Sequence, residues 1–132
     1  MSGAFMNPDS TKTILYIEDN LFNVHLVQTI FAGRAHLHLL TATHGHLGLD
    51  SARQNLPDLI LLDMRLPDMT AMQILQELRA EPTTTRIPVV IVSGDEPGEH
   101  RAELLALGVV EFVIKPFDID KFEALVERCL NG

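Results

Sequence analysis

The sequence predicts an α/β domain, a doubly wound parallel sheet of five strands with helices on both faces. Four apolar runs carry this reading first: Ile14–Ile17, Leu59–Leu62, Val89–Val92 and Phe112–Ile114. Their length and unbroken apolarity match strands buried on both faces. Strand-like and helix-like segments also alternate five times, the pattern that builds a parallel sheet through crossover helices. A third observation is what ends each run: Glu18-Asp19, Asp63, Ser93 and Lys115-Pro116, in chain order. In an open α/β sheet the binding crevice lies outside the carboxyl ends of the strands. Three carboxylates, a hydroxyl and an ammonium are therefore expected on one edge, a set suited to a divalent cation and a phosphoryl group.

Residues 1–11 carry Gly, Pro, Asn and Ser and read as a loose arm ahead of a domain over 12–132. The first strand is expected over Thr13–Glu18. Asn20 suits the N-cap of the first helix, whose Val24, Leu26, Val27, Ile30 and Phe31 follow helical spacing and which Gly33 ends. The second strand covers Leu37–Ala42, and the second helix follows His44-Gly45 and stops before Pro57. Asp58–Asp63 is the third strand. Thr70-x-x-Gln73 is a capping-box pattern ahead of Ile74, Leu75 and Leu78. Pro82 and Pro88 bracket the loop to the fourth strand. Asp95 is expected to cap the fourth helix with Pro97 in its first turn, and Gly108 to end it. Asp118 caps the last helix, with Phe117 and Phe122 placed as a hydrophobic staple. Phe122, Leu125, Val126, Cys129 and Leu130 form its apolar stripe.

Length and composition narrow the function. A chain of 132 residues with 46% apolar content suits one domain with its own core, and 5% aromatics make that core Leu, Ile, Val and Ala. A net charge of −8 argues against nucleic-acid binding, which relies on clustered Lys and Arg. The single cysteine, Cys129, excludes an internal disulfide and suits a reducing cytoplasm. No apolar stretch reaches the roughly 18 residues of a membrane span, and no signal peptide is visible. His36-x-His38 and His44-x-His46 have the spacing of paired metal ligands, but no third ligand accompanies them, so they read as solvated.

The ordered set Glu18-Asp19, Asp63 with Pro67 four residues on, Ser93-Gly94 and Lys115-Pro116, with Phe112 three before the lysine, resembles the receiver domains of two-component response regulators. The resemblance runs from about Lys12 to about Leu130. It implies a flavodoxin-like fold with strand order 2-1-3-4-5 and a phosphorylation-dependent switch. Asp63 would be the phosphoacceptor. Mg²⁺ would be held by Asp19, Asp63 and the backbone carbonyl of Arg65, with Glu18 acting through water. Ser93 and Lys115 would bind the phosphoryl group, and Lys115 would pair with Asp63 beforehand. Ser93 and Phe112 would form the switch, Arg65 and Asp95 would tune phosphoryl lifetime, and the Lys115–Pro116 bond would be cis.

The phosphodonor implied is a sensor histidine kinase or a histidine phosphotransfer protein. The face of helix four, strand five and helix five is expected to carry the signal and to offer a receiver–receiver contact. Activity beyond slow self-dephosphorylation is not expected. Ala71 stands where the family usually has glycine, eight residues after the nucleophile, which opens the path of that loop to question; the Thr70 cap offers another entry to the helix. The Glu18-Asp19-Asn20-x-x-Asn23 wording resembles receivers attached to hybrid sensor kinases.

Plainer readings stand beside these. Asp63 alone could cap a loop, Ser93 could close a turn, and Phe112 could be core. A phosphatase of the Asp-nucleophile type is one rival, but such enzymes need an acid two residues after the nucleophile, where this chain has Arg65. An unphosphorylated interaction module is the other, expected where an acid or the lysine is missing; here all are present.

Overall fold

The computed structural model describes residues 11–131, so the expected arm lies outside the described residues apart from an exposed Thr11. The elements run β1 (Lys12–Ile17), α1 (Leu21–Phe31), β2 (Leu37–Ala42), α2 (Gly45–Asn55), β3 (Leu59–Leu62), α3 (Ala71–Ala80), β4 (Val89–Ser93), a 3-10 turn (Gly98–His100), α4 (Arg101–Ala106), β5 (Val109–Ile114) and α5 (Ile119–Asn131). All strand pairs are parallel and the sheet order is β2-β1-β3-β4-β5, as expected. No helix among the described residues is long and apolar enough to cross a membrane.

The central strands are apolar throughout because both of their faces are covered, and the pleat divides their side chains between two cores. Leu15, Ile17, Ile60, Leu62 and Ile91 pack with α2, α3 and α4. Ile14, Tyr16, Leu59, Leu61, Val90 and Val92 pack with α1 and α5. Tyr16, Phe31, Phe117 and Phe122 gather in the second core, where the Phe117 ring stacks on Phe122 at 4.4 Å and Phe122 meets Phe31 at 5.9 Å. Gly48 is required where α2 crosses β1: a Cβ there would stand 2.5 Å from Ile17 Cδ1.

Most local signals act as the sequence implies. Asn20 accepts from Asn23 N at 3.0 Å, and Asp118 accepts from Lys121 N at 3.0 Å. Thr70 and Gln73 form a reciprocal capping box at 3.1 and 2.9 Å. Ala71 is therefore simply the first residue of α3, buried, and the loop enters the helix through the Thr70 cap without a glycine. Strands β1 and β3 each end one residue earlier than expected, at Ile17 and Leu62, but the Glu18 and Asp63 N–H groups still donate to Ala42 O at 2.9 Å and Ile17 O at 3.1 Å on the neighbouring strands.

The start of α4 is a correction. Asp95 does not cap it; α4 begins at Arg101, with His100 at the cap position and no side-chain cap bond. Gly98 lies at φ +57, a left-handed conformation that interrupts any helix begun at Pro97. The Asp95 carboxylate is engaged elsewhere, with Arg65.

Candidate functional site

The carboxyl ends of β1, β3, β4 and β5 bring together the residues that end the four apolar runs. Oxygens of Glu18, Asp19 and Asp63 lie within 4.8 Å of one another. Glu18 and Asp63 are 1% and 6% exposed, whereas Asp19 faces solvent. Three clustered carboxylates repel, and the arrangement persists only where something neutralises them.

Glu18 is the best-tethered of the three. Its Oε1 accepts from Lys115 Nζ at 2.7 Å, Tyr16 OH at 3.0 Å and Asn23 Nδ2 at 3.3 Å, and its Oε2 accepts from Asn20 N at 3.2 Å. Burial pushes its carboxyl up, but the Lys115 and Asp63 hydrogen bonds, the Lys115 charge and the Asn20 N–H outweigh this and hold it below the usual range. The expected Lys115–Asp63 pairing is thus corrected: the ammonium rests on Glu18. The physical reason is competition between two carboxylates for one cation, and Glu18 is the more deeply buried.

Asp63 bears the consequence. Burial, then the hydrogen bonding and charge of Glu18, push its carboxyl up to about 7; the Lys115 charge and the Arg65 N–H pull the other way without prevailing. A carboxyl this poorly neutralised is one that a divalent cation would relieve. The donors fit Mg²⁺ in particular: they are hard carboxylate oxygens, with Asp19 on the solvent side where retained waters have room.

Ser93 is buried at the end of β4, and its Oγ accepts from Asp95 N at 3.3 Å. That turn contact uses the oxygen and leaves the O–H free to donate. The backbone of Lys115 donates to Ser93 O at 2.7 Å, holding the β4 and β5 ends together, and the Lys115–Pro116 bond is cis. Arg65 and Asp95 form an exposed ion pair at 2.5 Å that bridges the loops after β3 and β4. Phe112 is half-buried against the α2–α3–α4 core, and the Arg101 guanidinium lies 4.5 Å from its ring centroid.

Sequence reasoning missed three contributors. Tyr16, wholly buried one turn of the pleat before Glu18, gives that carboxylate a hydroxyl donor; burial and Glu18 together raise its phenol far above the ordinary range. A lone tyrosine two residues before an acid on a buried strand was a usable signal. Arg101 over Phe112 and Asp68, which binds the start of α2, had none, since each joins segments distant in sequence. The two histidine pairs meet no third ligand: the only metal-compatible group among the described residues is the acid triad.

The response regulator receiver domain family matches residues 14–127. By sequence, the chain is 35% identical over 99 residues to regulatory protein AtoC of Escherichia coli K12, covering 75% of this chain and 18% of that protein. It is 33% identical over 105 residues to response regulator PleD of Caulobacter vibrioides, covering 80% of this chain and 23% of PleD. The chain thus spans about a fifth of each relative. By structure, it is similar to the receiver domain of the sensor histidine kinase PA1611 of Pseudomonas aeruginosa PAO1, which has a magnesium ion coordinated in its active-site cleft. There the TM-score is 0.82 at 23% identity, over 92% of this chain and 99% of that one. A CheY-like receiver from Methanospirillum hungatei JF-1 gives 0.83 at 21% identity, over 92% and 95%. The fold, the crevice and the sequence match agree: this chain belongs to the response regulator receiver domains, which are regulatory phosphoacceptor domains rather than enzymes in the usual sense.

Proposed function

We propose that Asp63 accepts a phosphoryl group from a phosphohistidine of a sensor kinase or phosphotransfer protein, with Mg²⁺ in the acid triad. The observation that carries this is the buried, under-neutralised Asp63 carboxyl beside Glu18, Asp19 and Lys115. In the transfer, an Asp63 oxygen bonds to phosphorus as the P–N bond to histidine breaks, giving an acyl phosphate. Asp19, Asp63 and the Arg65 carbonyl would hold the metal directly, and Glu18 would act through water. Bound there, Mg²⁺ would offset charge on the phosphoryl oxygens, which is most of what such a transfer requires.

The chain's own residues do the rest. Lys115 carries the cation nearest the crevice and can share it between Glu18 and a phosphoryl oxygen. Ser93 donates its free O–H to the same group. Recruiting Ser93 shifts the loop that leads to the 3-10 turn and α4, where Arg101 lies over the Phe112 ring of β5. The surface of α4, β5 and α5 would then be where the signal is read, through a shift between two packings. A receiver–receiver contact on that face and a cytoplasmic setting fit this role.

The test is incubation with acetyl phosphate and Mg²⁺ followed by intact-mass measurement. A single adduct is expected in the wild type, lost on chelation and lost in Asp63→Asn. An adduct that persists in Asp63→Asn overturns the reading.

A further inference from the structure

Helix α2 does not cap itself. His44 occupies its N-cap position without a side-chain cap bond, its ring turned instead to Thr43 Oγ1 at 2.9 Å. The first two amides of the helix go to a residue 22 to 23 positions away: Asp68 Oδ1 accepts from Gly45 N at 2.7 Å, and Oδ2 from His46 N at 3.0 Å. Beside this bidentate contact, Met69 packs so closely that a Cβ on Gly45 would stand 2.8 Å from Met69 Cβ.

Asp68 and Met69 belong to the segment joining Asp63 to α3, which also contains Arg65. An antiparallel bridge between Arg65 and Thr70 closes this segment into a loop. On one side of the loop the Arg65 N–H lies near enough to the Asp63 carboxylate to favour its charged form. Its far side is fixed by the Thr70 capping box. Its outermost point is hydrogen-bonded to α2 by Asp68, with Met69 packed beside it against Gly45. Helix α2 is itself held hard against β1, the strand that leads to Glu18 and Asp19, through the tight Gly48–Ile17 approach.

We propose that Asp68 is a positioning residue for the metal. By fastening the Arg65–Thr70 loop to the first turn of α2, it holds the Arg65 carbonyl in register with the acids at the end of β1. This rests on the Mg²⁺ and Asp63 assignment made above. Residues that orient metal ligands from outside the ligand set commonly matter as much as a ligand does. Asp68 acts here through backbone: it holds a loop, and the loop holds the carbonyl.

The test is Mg²⁺ affinity by calorimetric titration, together with adduct formation from acetyl phosphate across a range of Mg²⁺ concentrations. Asp68→Ala should weaken Mg²⁺ binding about 10-fold. Most of the adduct rate should return at saturating Mg²⁺, since the nucleophile is untouched. Asp68→Asn keeps one oxygen acceptor for Gly45 N and should fall between wild type and alanine. Gly45→Ala disturbs the same contact from the other side, by pushing Met69, and should also weaken Mg²⁺.

Asp58→Ala is the control. Asp58 Oδ2 accepts from Thr13 N at 2.8 Å at the opposite end of the sheet, so its loss lowers melting temperature and leaves Mg²⁺ affinity alone. If Asp68→Ala and Asp58→Ala both lose melting temperature and both keep wild-type Mg²⁺ affinity, Asp68 is only a helix cap and the proposal falls. If the wild type neither binds Mg²⁺ nor forms an adduct, the assignment beneath the proposal fails, and the proposal with it.

Discussion

Replacing Asp63 by asparagine should stabilise the protein without Mg²⁺, even though it removes the residue most needed for function. The Asp63 carboxyl is raised from 3.8 to about 7, first by burial and then by Glu18. Its protonated form is therefore the one the fold prefers. The stability this lends is complete below pH 3.8 and is lost as pH rises through about 7. At about 1.36 kcal/mol per pH unit, the full shift sets an upper bound of about 4 kcal/mol.

Asp63 and Glu18 titrate as a pair, and water reaches the crevice on the Asp19 side, so about half of that bound is expected, about 2 kcal/mol. Asparagine is uncharged at every pH and nearly isosteric. For a domain of this size about 2 kcal/mol corresponds to a melting point roughly 8 °C higher. The assay is thermal unfolding of both proteins in chelator at about pH 5 and about pH 8, bracketing the Asp63 titration. The gap should be wide at the higher pH, narrow at the lower, and reduced by added Mg²⁺, which stabilises only the wild type. An Asp63→Asn protein that is equally or less stable at the higher pH, or a gap that ignores pH, would refute the electrostatic account of the crevice.

Three further outcomes follow from particular contacts. Arg65→Ala and Asp95→Ala each break the ion pair bridging the loops after β3 and β4; an exposed pair is worth below about 1 kcal/mol, so phosphoryl lifetime should change by only a few-fold, and hydrolysis rates unchanged from wild type in both variants would count against a tuning role. Gly48→Ala drives a methyl to 2.5 Å from Ile17 Cδ1, so chemical unfolding should show a loss of roughly 1–3 kcal/mol from overpacking; an unchanged midpoint would mean that α2 has room to move. With a beryllofluoride phosphoryl mimic, amide shifts should spread from Ser93 to Arg101 and Phe112, whose cation–π contact joins α4 to β5; changes confined to the crevice would rule out that face as the output.

The fold and the acids of the site were legible because both depend on simple local rules. An apolar run followed by its first polar residue places that residue at a sheet edge, whatever the surroundings, so Glu18, Asp63, Ser93 and Lys115 converge from topology alone. Caps at Asn20, Thr70 and Asp118 involve bonds spanning three residues and are equally readable. What stayed hidden depends on which of several partners a long side chain selects. Lys115 could reach either Glu18 or Asp63, and only their relative burial decides. Asp95 had both a helix to cap and an arginine to meet, and the left-handed Gly98 removed the first option. Asp68 and α2 are joined by folding, not by sequence spacing.

The central claim is that the phosphoryl group resides on Asp63. Treating the phosphorylated protein with borohydride reduces an aspartyl phosphate to homoserine and marks the residue permanently, so peptide mass analysis can read its position. The account predicts the mark at position 63 alone, and only in samples that contained Mg²⁺. A mark at Asp19 or any other carboxylate, with position 63 intact, would contradict it.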